Sequence, residues 1–145
     1  LPKIAEIING ELNGKSDICI KELLIDSRKL GNPLVSLFFA IKGDRHDGHD
    51  YINDLYQKGV RCFVVSDLPT HAVHLPEICF IKVPDTLQAL QALCAYHRKQ
   101  FDIPVVAITG SNGKTVVKEW LYQLLREDKN IVRSPKSFNS QVGVP

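Results

Sequence analysis

The sequence predicts an α/β protein in two parts. Two observations carry this. Strand-length apolar runs alternate with helix-like stretches through the first hundred residues. Then Val105-Val106-Ala107-Ile108 leads through a glycine-rich turn into an amphipathic helix. Alternation of this kind buries the faces of a sheet under helices. The expected division is a small α/β domain over residues 1–101 and the start of a second over 102–145. The second part amounts to about one β-α-β unit, too little to close a core alone.

Taken in order, residues 2–9 read as a short helix with Ile4, Ile7 and Ile8 on one side and Gly10 as its stop. Residues 18–25 are apolar and partly alternating, a strand ending at Asp26-Ser27-Arg28, and Gly31-Asn32-Pro33 breaks the chain. Leu37 to Ile41 is a short buried strand running into Gly43. A helix over 51–58 stops at Gly59, and strands follow at 60–65 and 78–83. Asp85 then caps a helix, with Gln88 three residues on to complete a capping box. Leu87, Leu90, Cys94 and Phe101 mark its inner face. In the second part, the helix carries Val117, Trp120, Leu121, Leu124 and Leu125 as core, and Ile131-Val132 reads as the next strand.

Composition narrows the class. Apolar residues make up 44% and charged residues 23%, as in a soluble globular protein. A net charge of +2 without a Lys/Arg block argues against a nucleic-acid partner or an anionic membrane surface. No apolar run approaches the roughly 20 residues of a bilayer span, and no basic-then-apolar leader opens the chain. Cys19, Cys62, Cys79 and Cys94 sit beside apolar residues with no C-x-x-C pair, which predicts buried, reduced thiols of a cytoplasmic protein. The chain contains no Met and stops at Pro145 just after a segment begins, as a piece of a longer protein would.

Thr109-Gly110-Ser111-Asn112-Gly113-Lys114-Thr115 is the most informative stretch. Glycines at 110 and 113 allow a tight turn whose N–H groups face an anion, and the helix starting near Lys114 aims its positive end at the same place. Lys114 is expected to reach the terminal phosphates and the Thr115 hydroxyl to bind Mg²⁺. The longer general phosphate-loop pattern fails, because Ile108 stands where its first glycine would be. The stretch predicts a nucleoside triphosphate and no particular reaction.

This loop resembles that of the Mur ligases and their folylpolyglutamate synthase relatives. Asp26-Ser27-Arg28, Leu37 to Gly43 and Asp47-Gly48-His49 resemble the UDP-binding N-terminal domain of the Mur ligases, which the folate enzymes lack. Within that family Asp47 to Tyr51, Lys118-Glu119 and Ser137 to Pro145 resemble the members that add D-alanyl-D-alanine to UDP-N-acetylmuramoyl-tripeptide. Lys118 to Leu125 is similar to a form fused to an alanine racemase, which would add pyridoxal phosphate. The chain departs from the family at Val116-Val117, where Thr or Ser usually follows Gly-Lys-Thr, and at Ser140, where a second Asn is usual.

The resemblance implies ATP and Mg²⁺ as cofactors and an acyl-phosphate route to an amide bond in peptidoglycan precursor synthesis. It places Thr109 to Thr115 on ATP with Lys114 catalytic. It sets Ile25 and Ser27 against UDP, closes Asp44, Arg45 and His46 over uracil and ribose, and puts Asn139 on substrate. Ser27 and Arg28 also end a strand, where side chains enter a crevice and can meet a pyrophosphate. The structural alternative is an Arg28–Asp47 ion pair with Gly43 and Gly48 as turns. His46 and His49, and likewise His71 and His74, sit three apart without helix pattern or thiols, which favours solvated or substrate-facing histidines over a metal pair. His97 reads as an exposed or partnered helix residue with no triad around it. Groups for a second metal and the amine substrate are expected beyond Pro145, so the chain alone is expected to be inactive and to self-associate through residues 103–145. Two rival functions remain, a ligase adding lysine or diaminopimelate one step earlier and a non-catalytic nucleotide-sugar-binding module.

Overall fold

A computed structural model describes residues 1–14, 17–43, 46–69 and 75–134. The chain divides into two compact units, Leu1–Gln100 and Phe101–Val144.

The first unit is a five-stranded sheet with helices on both faces. Its elements are α1 (Pro2–Ile7), β1 (Glu11–Asn13), β2 (Glu22–Leu24), β3 (Ser36–Phe39), α2 (Ile52–Gln57), β4 (Cys62–Val65), β5 (Cys79–Lys82) and α3 (Thr86–Arg98). The strand order is β1-β5-β4-β3-β2. β2 to β5 are parallel, with Leu24 opposite Phe38, Phe39 opposite Val64 and Val65 opposite Lys82. β1 runs antiparallel along the edge of β5. Continuous apolar runs at β3, β4 and β5 follow from this arrangement, because central parallel strands are covered on both faces.

On one face Phe38, Phe63 and Phe80 line up across the three central strands, with Ile52 and Leu55 of α2 packed on them. Phe63 meets Phe38 edge-on at 6.3 Å and Phe80 at 5.7 Å. The alternate residues Leu37, Phe39, Val64 and Ile81 are equally buried. They face the layer of α1 and α3, which pack on one another. Asp85 caps α3 by accepting from the Leu87 and Gln88 N–H groups. The reciprocal Gln88 bond of a capping box is not made among the described residues, and the buried face is Thr86, Ala89 and Leu90. Gly59, at φ +102°, ends α2 in the left-handed conformation a glycine adopts without strain.

Several expectations shift. β1 was not anticipated, since Glu-Leu-Asn is too short and polar to signal a strand. The strand expected over 18–25 pairs only at 22–24. The expected helix at 51–58 is a 3-10 turn over Gly48–Tyr51 followed by α2. Cys62 and Cys79 are buried neighbours in register, and burial pushes the Cys79 thiol up to about 11, but Cys19 is exposed and Cys94 only half-buried. Phe101 lies beyond α3 and is exposed rather than on its inner face.

The second unit contains α4 (Lys114–Leu125), as expected. Val105–Ile108 and Ile131-Val132 form no ladder, and Trp120, placed in the core by sequence, is 63% exposed. Both differences have one cause: a strand needs a neighbour and a helix face needs a sheet, and the described residues of this unit supply neither.

Candidate functional site

Two places gather the expected side chains, one in each unit. In the first unit the parallel strands β2 to β5 bring their C-terminal ends to one edge, the edge at which sheets of this kind bind ligands. Ile25 to Arg28 leave β2 there, with Ile25 and Arg28 exposed and Ser27 half-buried. Asp26 caps the 3-10 turn Ser27–Lys29 and accepts the Arg28 guanidinium through Nε at 2.8 Å and Nη2 at 3.0 Å. The side-chain bond from Arg28, then its backbone N–H, hold the Asp26 carboxyl at about 2. The fork of Arg28 therefore rests on Asp26, and the Arg28–Asp47 pair of the structural alternative is not formed.

Asp47 serves a different group. The chain leaving β3 folds into a loop pinched at its base, with Lys42 bridged to Asp47, Gly48 N–H donating to Ile41 O at 2.9 Å and Gly43 N–H donating to His46 O at 2.9 Å. Asp47 Oδ1 accepts the His49 N–H at 2.9 Å and His49 Nδ1 at 2.5 Å. Burial pushes the Asp47 carboxyl up, but the bonds from His49, with the charge of Lys42, leave it below its ordinary value. His49 Nε2 accepts the Ser66 N–H at 3.1 Å, which places the ring proton on Nδ1.

His49 is thus a half-buried structural junction, correcting its reading as a solvated or substrate-facing side chain. Asp47, His49 and Ser66, with Ser66 Oγ 3.3 Å from Nε2, have the outline of a nucleophile triad. Its chemistry is blocked, because the Nε2 lone pair that would take the hydroxyl proton already accepts a backbone N–H.

Of the other candidates in this unit, His46 is exposed, while Asp44, Arg45, His71 and His74 lie outside the described residues, as does Asn139 of the second part of the chain. His97 is exposed on α3. The sequence reading missed Ser66 and Asp67. Their signal was positional, as the first polar residues after the apolar run of β4. Among the described residues no group of three His, Cys, Asp or Glu could hold a metal, and no helix is long and apolar enough to cross a membrane.

In the second unit the expected loop takes the geometry its glycines allow. Gly110 has φ +145° and Gly113 φ +78°. A Cβ on Gly113 would meet nothing within 4 Å, so its glycine is required by backbone conformation and not by space. Gly113 is the N-cap of α4 and provides no side chain to bond the first-turn N–H groups. Lys114 Nζ folds over the turn and donates to Gly110 O and, at 3.4 Å, to Ser111 O. Thr109 to Thr115 are all exposed. An uncapped helix start, left-handed glycines and an ammonium over the turn form an anion cradle of the kind that takes a polyphosphate.

Further along α4, Lys118 donates to Ser134 O at 2.9 Å, and Glu119 pairs with Lys118 and Arg133. Arg133 also stacks on Tyr122 at 4.1 Å. Side chains, not a ladder, hold residues 131–134 along the helix. A shallow cavity of ≈ 390 Å³ between Tyr122 and Ile131 lies at the opposite end of α4 from the loop and contains none of the expected site residues.

Residues 20–98 match the profile described as Mur ligase family, catalytic domain. The whole chain is 37% identical to UDP-N-acetylmuramoyl-tripeptide–D-alanyl-D-alanine ligases of Buchnera aphidicola and Escherichia coli K12, covering 30% of each. Its fold matches a crystal structure of MurF from Acinetobacter baumannii with a TM-score of 0.87 at 29% identity, over 99% of this chain and 31% of that one. MurF ligase from Thermotoga maritima, solved in complex with ADP, matches 90% of this chain and 29% of its own, with a TM-score of 0.73 at 26% identity. The chain spans about 30% of the length of the curated relatives it matches. By the matched profile, the chain belongs to the Mur ligase family.

Proposed function

We propose that the chain is the nucleotide-binding end of an ADP-forming, ATP-dependent ligase that joins D-alanyl-D-alanine to UDP-N-acetylmuramoyl-tripeptide in cytoplasmic peptidoglycan precursor synthesis. On this reading the first unit takes the UDP end of the substrate at the C-terminal edge of its sheet, through Ile25, Ser27, Arg28 and the loop carrying Asp44, Arg45 and His46. The second unit takes ATP at Thr109–Thr115, and Asn139 contacts substrate. The carrying observation is the loop Gly110–Gly113, with Gly113 at φ +78° opening an uncapped helix and Lys114 Nζ lying over the turn.

A carboxylate is a poor electrophile, and ATP supplies the phosphoryl group that turns one of its oxygens into a leaving group. The work of this chain is electrostatic. The N–H groups at the start of α4 hold phosphate oxygens, and Lys114 exchanges its loop carbonyls for phosphate and neutralises charge that develops there. Thr115, in the first turn of α4, is the residue for Mg²⁺. Arg28 faces the pyrophosphate with its fork held flat by Asp26, an orientation that costs little to keep on binding.

Lys114→Ala in the full-length ligase tests the reading. Ligation is expected to fall by about 10²–10³ while affinity for the UDP-linked substrate holds. A variant that ligated at close to the parent rate, or that lost UDP-substrate affinity in step with rate, would overturn the assignment of the loop.

A further inference from the structure

At the edge where β3 and β4 end, the ladder between them is interrupted in a specific way. Ala40 N–H still donates to Val64 O at 2.9 Å. In a parallel ladder the next bond would run from Ser66 N–H back to Ala40 O. Neither group makes it. Ser66 N–H instead donates to His49 Nε2 at 3.1 Å, and Ala40 O accepts the buried Thr86 hydroxyl at 3.1 Å. Two side chains from outside the pair satisfy the groups that the missing bond would leave bare, and the strands part with both of them paired. His49 is in turn fixed by Asp47, which is bridged to Lys42 at the base of the Gly43–His46 turn.

We infer that His49 is a positioning residue for the nucleotide site. It replaces the next ladder acceptor of β3, opens the C-terminal edge between β3 and β4, and ties the loop that carries His46 to the end of β4. The inference rests on the proposal that this edge binds UDP. Ser66 and Asp67 become part of the wall of the site, because the Asp67 N–H also points to Nε2, at 3.5 Å, and Ser66 Oγ donates to Asp67 at 3.1 Å. The geometry requires an acceptor at Nε2 and a donor at Nδ1, which an imidazole with its proton on Nδ1 supplies together.

The test uses the 145-residue chain, with UDP titrated calorimetrically and amide exchange followed at single residues. In His49→Ala the Ser66 amide is expected to lose protection and UDP affinity to fall about tenfold, while Phe63 and Val64 amides stay protected. In His49→Gln the amide oxygen takes the place of Nε2, so Ser66 protection and most of the affinity should return. Should His49→Ala fail to fold, His49→Gln against His49→Asn makes the same comparison, because the shorter amide keeps the Asp47 end and cannot reach Ser66.

UDP bound equally well by parent and His49→Ala would overturn the inference and leave the site reading intact. So would a His49→Gln variant whose Ser66 amide is protected but whose affinity stays at the alanine level. If the parent itself does not bind UDP, the proposed site fails. Ser66 exchange then still decides the tether, with unchanged exchange in His49→Ala refuting it.

Discussion

Gly48→Ala should be among the most damaging single-methyl changes available in the first unit. A Cβ at Gly48 would lie 2.6 Å from Ile41 N and 2.7 Å from both Ala40 C and Ala40 Cα. Ordinary carbon contacts are about 3.5–4.0 Å, so the backbone must separate by roughly 1 Å. All three clashing atoms are main chain and Ala40 is fully buried, which leaves no rotamer to relieve the overlap. The motion also stretches the Gly48 N–H bond to Ile41 O. Overpacking costs about 1–3 kcal/mol and a lost hydrogen bond about 1 more, giving about 2–4 kcal/mol. For a unit of this size that lowers Tm by roughly 10–25 °C.

The matched control is Gly43→Ala in the same loop. Among the described residues its Cβ would meet only His46 O, at 3.6 Å, an ordinary contact, and its cost should stay within about 0.5 kcal/mol. Thermal melts and urea titrations of both variants, followed by far-UV circular dichroism, separate the two. Equal losses in the pair, or a Gly48→Ala change below about 1 kcal/mol, would show that the loop base is not pinched against β3 as described.

Two further outcomes are expected. Asp26 is held at about 2 in the fold against 3.8 when free, so its pairing with Arg28 stabilises fully above about pH 4 and is lost as pH falls towards 2. The stability gap between the parent and Asp26→Asn should therefore be constant near neutrality and close over that window, and urea titrations that find a gap widening towards pH 2 would contradict it. The 145-residue chain should also self-associate through residues 103–145, since Val105, Val106, Val117, Trp120 and Leu124 are each at least 43% exposed in a unit with no sheet of its own among the described residues. Light scattering that finds a monomer at every concentration would refute this.

The strands at the centre of the first unit are legible because burial on both faces leaves nothing but apolar residues at Leu37–Phe39 and Cys62–Val65. The loop at 110–113 is legible for a similar local reason. Left-handed backbone selects glycine, and Gly110 and Gly113 stand where the chain needs it. β1 is not legible, because Glu11 to Asn13 becomes a strand only when the edge of β5 is there to pair with. Val105–Ile108 is the converse, a strand-like sequence with no ladder partner among the described residues of its unit, so local propensity has nothing to act on.

His49 carries the same lesson into the site. The spacing of His46 and His49 raises the question of a ligand pair, and no local pattern answers it, since beyond Asp47 the ring's partner is a backbone amide 17 residues away. What decides its role is a single absent ladder bond, and that absence arises because the chain turns away from β4 after Ala40. Binding edges of parallel sheets must stop pairing somewhere, and each stop leaves a donor and an acceptor to be satisfied. Here the donor goes to His49 and the acceptor to Thr86, at opposite ends of the same missing bond. Side chains that serve backbone groups at such a stop look functional in sequence and structural in a hydrogen-bond inventory. On the function proposed above they are both, because the opening they maintain would be the site.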